Sequence, residues 1–243
     1  MSTVAIIPAR GGSKGIPRKN LVDVCGHPLV AWAIACARRC PLVEAVYVST
    51  DDEAIARVAR EYGAEVIDRP AELSGDTATS ESALLHACGV IEQRRARPER
   101  LVFLQATSPL SEAADLTAAL RRFADGGFDS LFSGAPAEDM LLWTDDVDGP
   151  RSLNYDHRAR RRRQEREAGS EVWIETGAFY IMRTSLFLES GNRLTGRIGI
   201  APVAGWKAFE IDSQEGLAIC RALMQAHGLD RAAPDRIEAE RVA

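Results

Sequence analysis

Lysine is the residue this chain most lacks. Among its 30 basic residues only Lys14, Lys19 and Lys207 are lysine, and every other is arginine. A compact ammonium on a flexible stem and a planar guanidinium act differently on phosphate. Two of the three lysines fall within six residues of each other, which marks that stretch for chemistry. The five cysteines (Cys25, Cys36, Cys40, Cys88 and Cys220) form no C-x-x-C pair. That argues against a zinc ribbon or redox dithiol and leaves buried free thiols as the expectation. There is no basic excess: the net charge of −5 argues against a dedicated nucleic-acid binder. No apolar run reaches membrane length and no leader-like segment is visible, because Arg10 interrupts the first apolar stretch. A cytoplasmic chain without membrane attachment is the expectation. What is present, 46% hydrophobic residues over 243 positions, suffices for one large α/β domain or one domain with an insertion.

The stretch around the two lysines follows an apolar run, residues 3–7, that reads as a first β-strand. Residues 10–20 then combine three glycines, a hydroxyl and the cations Arg10, Lys14, Arg18 and Lys19. Glycines let backbone N–H groups approach phosphate oxygens closely, and the flanking cations neutralise them. The spacing is not that of a Walker loop, which needs Gly-Lys-Ser/Thr at the start of a helix. The reading is a triphosphate loop of another kind, with Arg10, Lys14 and Lys19 stabilising charge as pyrophosphate leaves.

Periodicity along the rest predicts helices over 29–39, 53–62, 80–95 and 111–124, alternating with strands over 43–49, 64–67 and 101–105. That alternation predicts an α/β fold in three layers: a mostly parallel, Rossmann-like sheet with helices on both faces. In such sheets ligands sit outside the carboxyl ends of the strands. That edge collects the 10–20 loop, Ser49-Thr50-Asp51-Asp52, the loop from Arg69 to Ser80, and Gln105-Ala106-Thr107-Ser108. The second half is less regular. Strands are expected over 128–133, 175–182, 198–203 and 208–211, with helices over 184–188 and 214–226. Residues 137–172 read as an insertion, an excursion from the sheet, and 228–243 as a loose tail.

Glu210 and Asp212 are separated by one residue on the expected strand 208–211, which turns both to one face. Two carboxylates there suit Mg²⁺, a hard cation that takes a few carboxylates plus phosphate oxygens. The competing reading is that Asp212 or Ser213 caps the last helix. Lys207 lies just upstream and is expected beside the carboxylates. Gln105, Thr107 and Ser108 offer amide and hydroxyl groups for an acceptor. Arg160-Arg161-Arg162-Arg163 is either an anion clamp or a solvated charged loop.

Taken together, these stretches resemble the acylneuraminate cytidylyltransferases, the CMP-sialic acid synthetases and their relatives. The matching pieces are Ile7-Pro8-Ala9-Arg10-Gly11-Gly12-Ser13-Lys14-Gly15 with Lys19-Asn20, Ser49-Thr50-Asp51, Arg69-Pro70-Ala71-Glu72-Leu73 with Asp76-Thr77, Leu104-Gln105-Ala106-Thr107-Ser108-Pro109-Leu110, Gly177-Ala178-Phe179-Tyr180-Ile181 and Ile211-Asp212. The resemblance implies the nucleotide-diphospho-sugar transferase fold and CMP transfer from CTP to an acidic acceptor, a nonulosonate sugar. It implies that Arg10, Gly11, Gly12, Ser13, Lys14, Lys19 and Asn20 meet the CTP phosphates and sugar, and that Arg69, Ala78 and Ser80 frame the cytosine. It places Gln105, Thr107, Ser108, Arg162, Arg163, Gln164 and Thr176 at the acceptor, with Asp212 and Glu210 holding Mg²⁺. It also implies a homodimer whose insertion, 137–172, reaches the partner. The departures fall on the acceptor side. Ser111, Ile174 and Thr176 stand where the family usually has two arginines and an asparagine, so a small phosphonate is an alternative acceptor. A nucleotide-binding protein without turnover, and a uridylyl- or guanylyltransferase, are the other readings these residues leave open.

Overall fold

The computed structural model describes residues 2–137, 140–160, 162 and 171–237. In chain order its elements are β1 (Thr3–Pro8), β2 (Asp23–Val24), β3 (His27–Pro28), α1 (Leu29–Arg38), β4 (Ala45–Thr50), α2 (Glu53–Glu61), β5 (Glu65–Asp68), α3 (Ser80–Arg94), β6 (Arg100–Leu104) and α4 (Ala113–Gly126). They continue as β7 (Ser130–Pro136), β8 (Trp143–Asp146), β9 (Gly149–Ser152), β10 (Trp173–Arg183), α5 (Thr184–Ser190), β11 (Ile198–Pro202) and α6 (Gln214–His227). Seven strands form one sheet in the order β11-β7-β10-β6-β1-β4-β5. All neighbours are parallel except β10, which runs antiparallel to both β6 and β7. The expected three layers and mostly parallel sheet are therefore present.

The central strand explains the arrangement. Val4 through Ile7 are fully buried, as a strand covered on both faces must be, so an unbroken apolar run forms it. One face packs against α1, α2 and α4 through Val30, Ile34, Ile55, Leu116 and Phe123. The other packs against α3 and α5 through Leu84, Cys88, Ile91 and Phe187. A third apolar cluster lies off the sheet, between α1 and α6, and takes in Ile16, Leu110 and Ile211. Each of those three comes from a different loop at the carboxyl edge, so one cluster fixes all three loops relative to one another.

All five cysteines are free thiols, and Cys36, Cys40, Cys88 and Cys220 are buried as expected. Burial pushes the Cys88 and Cys220 thiols up to about 12. Among the described residues no helix is long and apolar enough to cross a membrane.

Three expectations need correction. No strand forms over 208–211. A 3-10 turn, Gly205–Ala208, is followed by an extended piece whose Ile211 N–H donates to the Thr107 carbonyl at 2.8 Å. The alternating pattern there serves the third cluster, where Ile211 is fully buried, and not the sheet. The tail after Gly228 is not loose up to residue 237. Leu229 and Pro234 are buried, Arg39 donates to the Ala232 and Ala233 carbonyls and to Asp235, and Ile237 N–H donates to the Glu61 carbonyl. Finally, the fourth helix begins at Ala113 and not at 111, because Glu112 and Asp115 close a capping box there. Between β7 and β10 the described residues contain the hairpin β8–β9, which is not part of the seven-stranded sheet.

Candidate active site

At the end of β1 the chain turns outward from Ala9, whose N–H donates to Ser49. The loop is closed at its base by buried Asn20, whose amide donates to the Arg10 carbonyl at 2.9 Å. Buried Ile16 pins its middle. Two glycines are required by close approach. A Cβ on Gly15 would lie 2.2 Å from the Asp212 carbonyl oxygen, and one on Gly11 would lie 2.8 Å from an Asp52 carboxylate oxygen. Gly12 faces open space. Asp52 caps α2, accepting from Ala54 and Ile55, while Asp51 accepts from the Gly11 N–H at 3.0 Å.

The cations converge on one cleft. Its walls include Arg10, Ser13, Lys14, Lys19, Asn20, Ser80, Phe103, Gln105 and Thr107, around a free volume of about 180 Å³. Lys19 Nζ lies 2.5 Å from Asp212 Oδ1. Lys14 lies 2.8 Å from Asp76 and Arg10 3.6 Å from it, and Arg10 also donates to the Gly75 carbonyl. The hydrogen bond from Lys14 holds the Asp76 carboxyl below the usual carboxylate range. Loop cations and one glycine N–H thus face protein carboxylates, the same kind of partner as a phosphate oxygen.

Along the 69–80 loop, Arg69 is buried and donates to the Ser49 carbonyl, and burial depresses its pKa. Its Nε has no hydrogen-bond partner among the described residues. Ala78 N–H donates to the Gly75 carbonyl, and Ser80 opens α3 on the cleft wall. On the opposite side, Thr107 Oγ1 lies 3.3 Å from Gln105 Oε1 and 3.4 Å from Glu210 Oε2. Gly177, with φ +69, sits where β10 shifts register; a Cβ there would come within 3.1 Å of Gln105 and 3.5 Å of Glu210. Glu210 has a raised pKa, through burial first and the neighbouring Asp212 carboxylate second.

Other expected site residues are placed elsewhere. Thr176 is buried, its hydroxyl 2.7 Å from Ser133 Oγ between β7 and β10, so it faces the sheet interior. Ser108 is buried and its Oγ has no hydrogen-bond partner among the described residues. Arg162 is exposed, and Arg163 and Gln164 lie outside the described residues. Lys207 is not beside the carboxylates: it is buried and pairs with Glu112 and with Asp115 at 2.5 Å. Burial alone would lower its pKa, but the bonds from Asp115 and Glu112 outweigh that and raise it. Sequence reasoning gave no role to Asp76 or Gly177. Asp76 carried a signal, since it is, with Glu72, one of two acidic residues of a loop that the topology sets facing three cations.

Residues 4–167 match the family described as Cytidylyltransferase. The chain belongs to that family. It is 35% identical over 190 residues to N-acylneuraminate cytidylyltransferase A of Danio rerio, covering 77% of this chain and 42% of the relative. It is 37% identical over 139 residues to a pseudaminic acid cytidylyltransferase of Campylobacter jejuni, covering 57% of this chain and 60% of the relative. This cytidylyltransferase chain thus spans about half the length of the curated relatives it matches. The resemblance to the sialic-acid type is borne out at family level. Among solved structures, CMP:2-keto-3-deoxy-manno-octonic acid synthetase complexed with CTP superposes with a TM-score of 0.66 at 19% identity, over 93% of this chain and 100% of that one. A 4-diphosphocytidyl-2C-methyl-D-erythritol synthase superposes with a TM-score of 0.69 at 12% identity, over 92% of this chain and 98% of that one. At those identities the likeness concerns the fold.

Proposed function

We propose that this chain transfers CMP from CTP to a nonulosonate-type acidic sugar. An acceptor oxygen forms a bond to the α-phosphorus, the α–β bridging bond breaks, and pyrophosphate leaves. The proton of the acceptor hydroxyl goes to water or to a base this reading does not assign. The observation that carries the proposal is the convergence of Arg10, Lys14 and Lys19 on one cleft whose far wall holds Gln105, Thr107 and, behind them, Glu210. The cations lie where the triphosphate must spread its charge, and the neutral donors lie where an acceptor can approach. The relatives named for N-acylneuraminate and pseudaminic acid support the acceptor class.

In this reading Arg10, Lys14 and Lys19 neutralise the β- and γ-phosphates as charge builds on pyrophosphate, with Gly11, Gly12, Ser13 and Asn20 holding the loop and sugar. Arg69, Ala78 and Ser80 frame the base. Gln105 and Thr107 orient the acceptor, with Ser108, Arg162, Arg163 and Gln164 as further acceptor-side groups. Among the described residues no group of three or more His, Cys, Asp or Glu gathers. Glu210 and Asp212 nonetheless fit Mg²⁺: they are two neighbouring carboxylates, and burial first and their repulsion second raise the Glu210 pKa, a cost a divalent cation would relieve. Such an ion, when bound, supplies charge stabilisation to the phosphates. The whole chain, 1–243, acts as a single catalytic domain, and the 137–172 excursion makes the homodimer contact. Support for that contact is the exposure of Met140, Leu142, Trp143, Val147, Leu153 and Val172.

Buried Thr176, which gives nothing to the cleft, favours a second reading in which the acceptor is a small phosphonate. The test is pyrophosphate release with CTP and Mg²⁺ in the presence of N-acetylneuraminate or of an alkylphosphonate. Release with the sugar is expected. Release only with the phosphonate selects the second reading, and CTP binding without release with either removes the catalytic proposal. Equal rates with UTP or GTP remove the cytosine assignment.

A further inference from the structure

The third lysine is unexplained by this chemistry. Lys207 is buried, far from the phosphate loop's cations in role, and committed to two carboxylates at the start of α4. Trp206 beside it stacks on His227 and lies under its ammonium, so the side chain is enclosed on a second side.

Two stretches of chain run between the same two fastenings. One is 107–112, from the acceptor-side loop to the cap of α4. The other is 207–211, from the 3-10 turn to the candidate metal carboxylates. At one end the Ile211 N–H donates to the Thr107 carbonyl at 2.8 Å. At the other end Lys207 Nζ binds Glu112 and Asp115. The closed ring carries Thr107 and Glu210, whose oxygens lie 3.4 Å apart. Beyond it, the Asp212 carbonyl rests against Gly15 of the phosphate loop. Resting on the cytidylyltransferase reading above, we infer that Lys207 is a positioning residue: by fastening the 205–208 turn to α4 it sets the carboxylates against the acceptor-side loop.

The chemistry of the pair explains why lysine persists here in a chain that otherwise uses arginine. A single ammonium satisfies two carboxylates from two directions inside a space that leaves it 7% exposed. A planar guanidinium is larger and presents its donors in one plane. The carboxylates do not depend on Lys207 to stay in place. Glu112 and Asp115 form their own capping box and sit at the helix N-terminus, where the helix dipole favours negative charge. Loss of the ammonium therefore frees the 205–212 segment more than it unfolds α4.

The variants are Lys207→Met and Lys207→Arg, each read by CTP binding, by pyrophosphate release and by amide exchange at Ile211. The expected result for both is a kcat lowered by about 10- to 100-fold, the size of effect that a small misplacement of reacting groups produces. The CTP dissociation constant stays within twofold of the parent, and the Ile211 amide exchanges faster. A merely structural role would lower the melting temperature and leave kcat of the folded variant unchanged; that result overturns the inference. So does unchanged exchange at Ile211, or CTP affinity falling in step with kcat. If Lys207→Met fails to fold, Lys207→Met with Glu112→Gln and Asp115→Asn removes the uncompensated charges, and the same loss of kcat is expected. A parent protein that releases no pyrophosphate overturns the functional reading instead, and Ile211 exchange still decides whether Lys207 positions the segment.

Discussion

At the scale of single residues, the glycine-rich loop is defined by what its cations hold. Lys14 is mostly exposed and its partner Asp76 is more than half exposed, so their contact adds little to stability. Lys14→Ala should therefore fold with an unchanged melting temperature while pyrophosphate release falls by about 100-fold or more, since a lost transition-state contact acts on rate. A drop in melting temperature with activity intact would assign Lys14 to structure. Asp76 leads to the opposite sign. Its carboxylate occupies both Lys14 and Arg10, and in the proposed reaction a triphosphate would have to displace it. Asp76→Asn should lower the KM for CTP several-fold. Because Lys14 keeps that carboxyl ionised below the ordinary range, the gain should be the same at pH 6 and pH 8. A raised KM would mean that Asp76 serves the nucleotide and does not compete with it.

At the scale of elements, the three loops of the site owe their mutual placement to backbone crossings and shared burial. Gly15→Ala brings a methyl to within 2.2 Å of a carbonyl oxygen that has no room to move, because Ile211 beside it is fully buried. The loop must shift away from Asp212, and activity should be lost with a destabilisation of about 1–3 kcal/mol. Retained activity would show that the crossing is slack. The segment 229–237 is a second case: ending the chain after Gly228 removes buried Leu229 and the four hydrogen bonds that tie this stretch to Arg39 and Glu61. The melting temperature should fall by about 5 °C, from a buried leucine's worth of stability in a domain of this size; no change would restore the loose tail expected from its composition. These elements also show what was legible. β1, β4 and β6 declare themselves because strands covered on both faces carry a continuous apolar run, whereas β5, an edge strand with Glu65 and Asp68 exposed, is legible only from its place between two helices. The Gly-rich loop declares itself by its glycines, although the close approach that requires Gly11 and Gly15 is to Asp52 and to the Asp212 carbonyl. Ala208-Phe209-Glu210-Ile211 alternates as a strand does, yet the sheet ends at β11. Its periodicity was set by a cluster that only the packing of α1 and α6 creates. Lys207 was misplaced for a related reason. Sequence proximity set it beside Glu210, whereas its four-carbon stem carries the charge back to α4.

At the scale of the whole molecule, one strand of reversed direction decides where the excursion goes. β10 enters the sheet antiparallel between β6 and β7, so the chain leaving β7 at Pro136 and returning at Trp173 does so above the carboxyl edge. The hairpin β8–β9 is carried there, away from the main sheet. A two-stranded hairpin alone is marginal in water. This one leaves Trp143 46% exposed and Val147 wholly so, with Met140, Leu142 and Leu153 also uncovered nearby. Apolar exposure gathered in one segment calls for a cover, and in the proposed homodimer a second copy of the chain would supply an identical surface in a two-fold contact. Trp143→Ser combined with Val147→Asp should halve the mass measured by sedimentation equilibrium at micromolar concentration. CTP affinity should not change, since the phosphate loop stands on β1, within the main sheet. If the excursion also completes the acceptor side, the acceptor KM should rise in the monomer while the CTP KM holds. A parent protein that sediments as a monomer at micromolar concentration would reject the dimer, and the apolar face would then need a different partner.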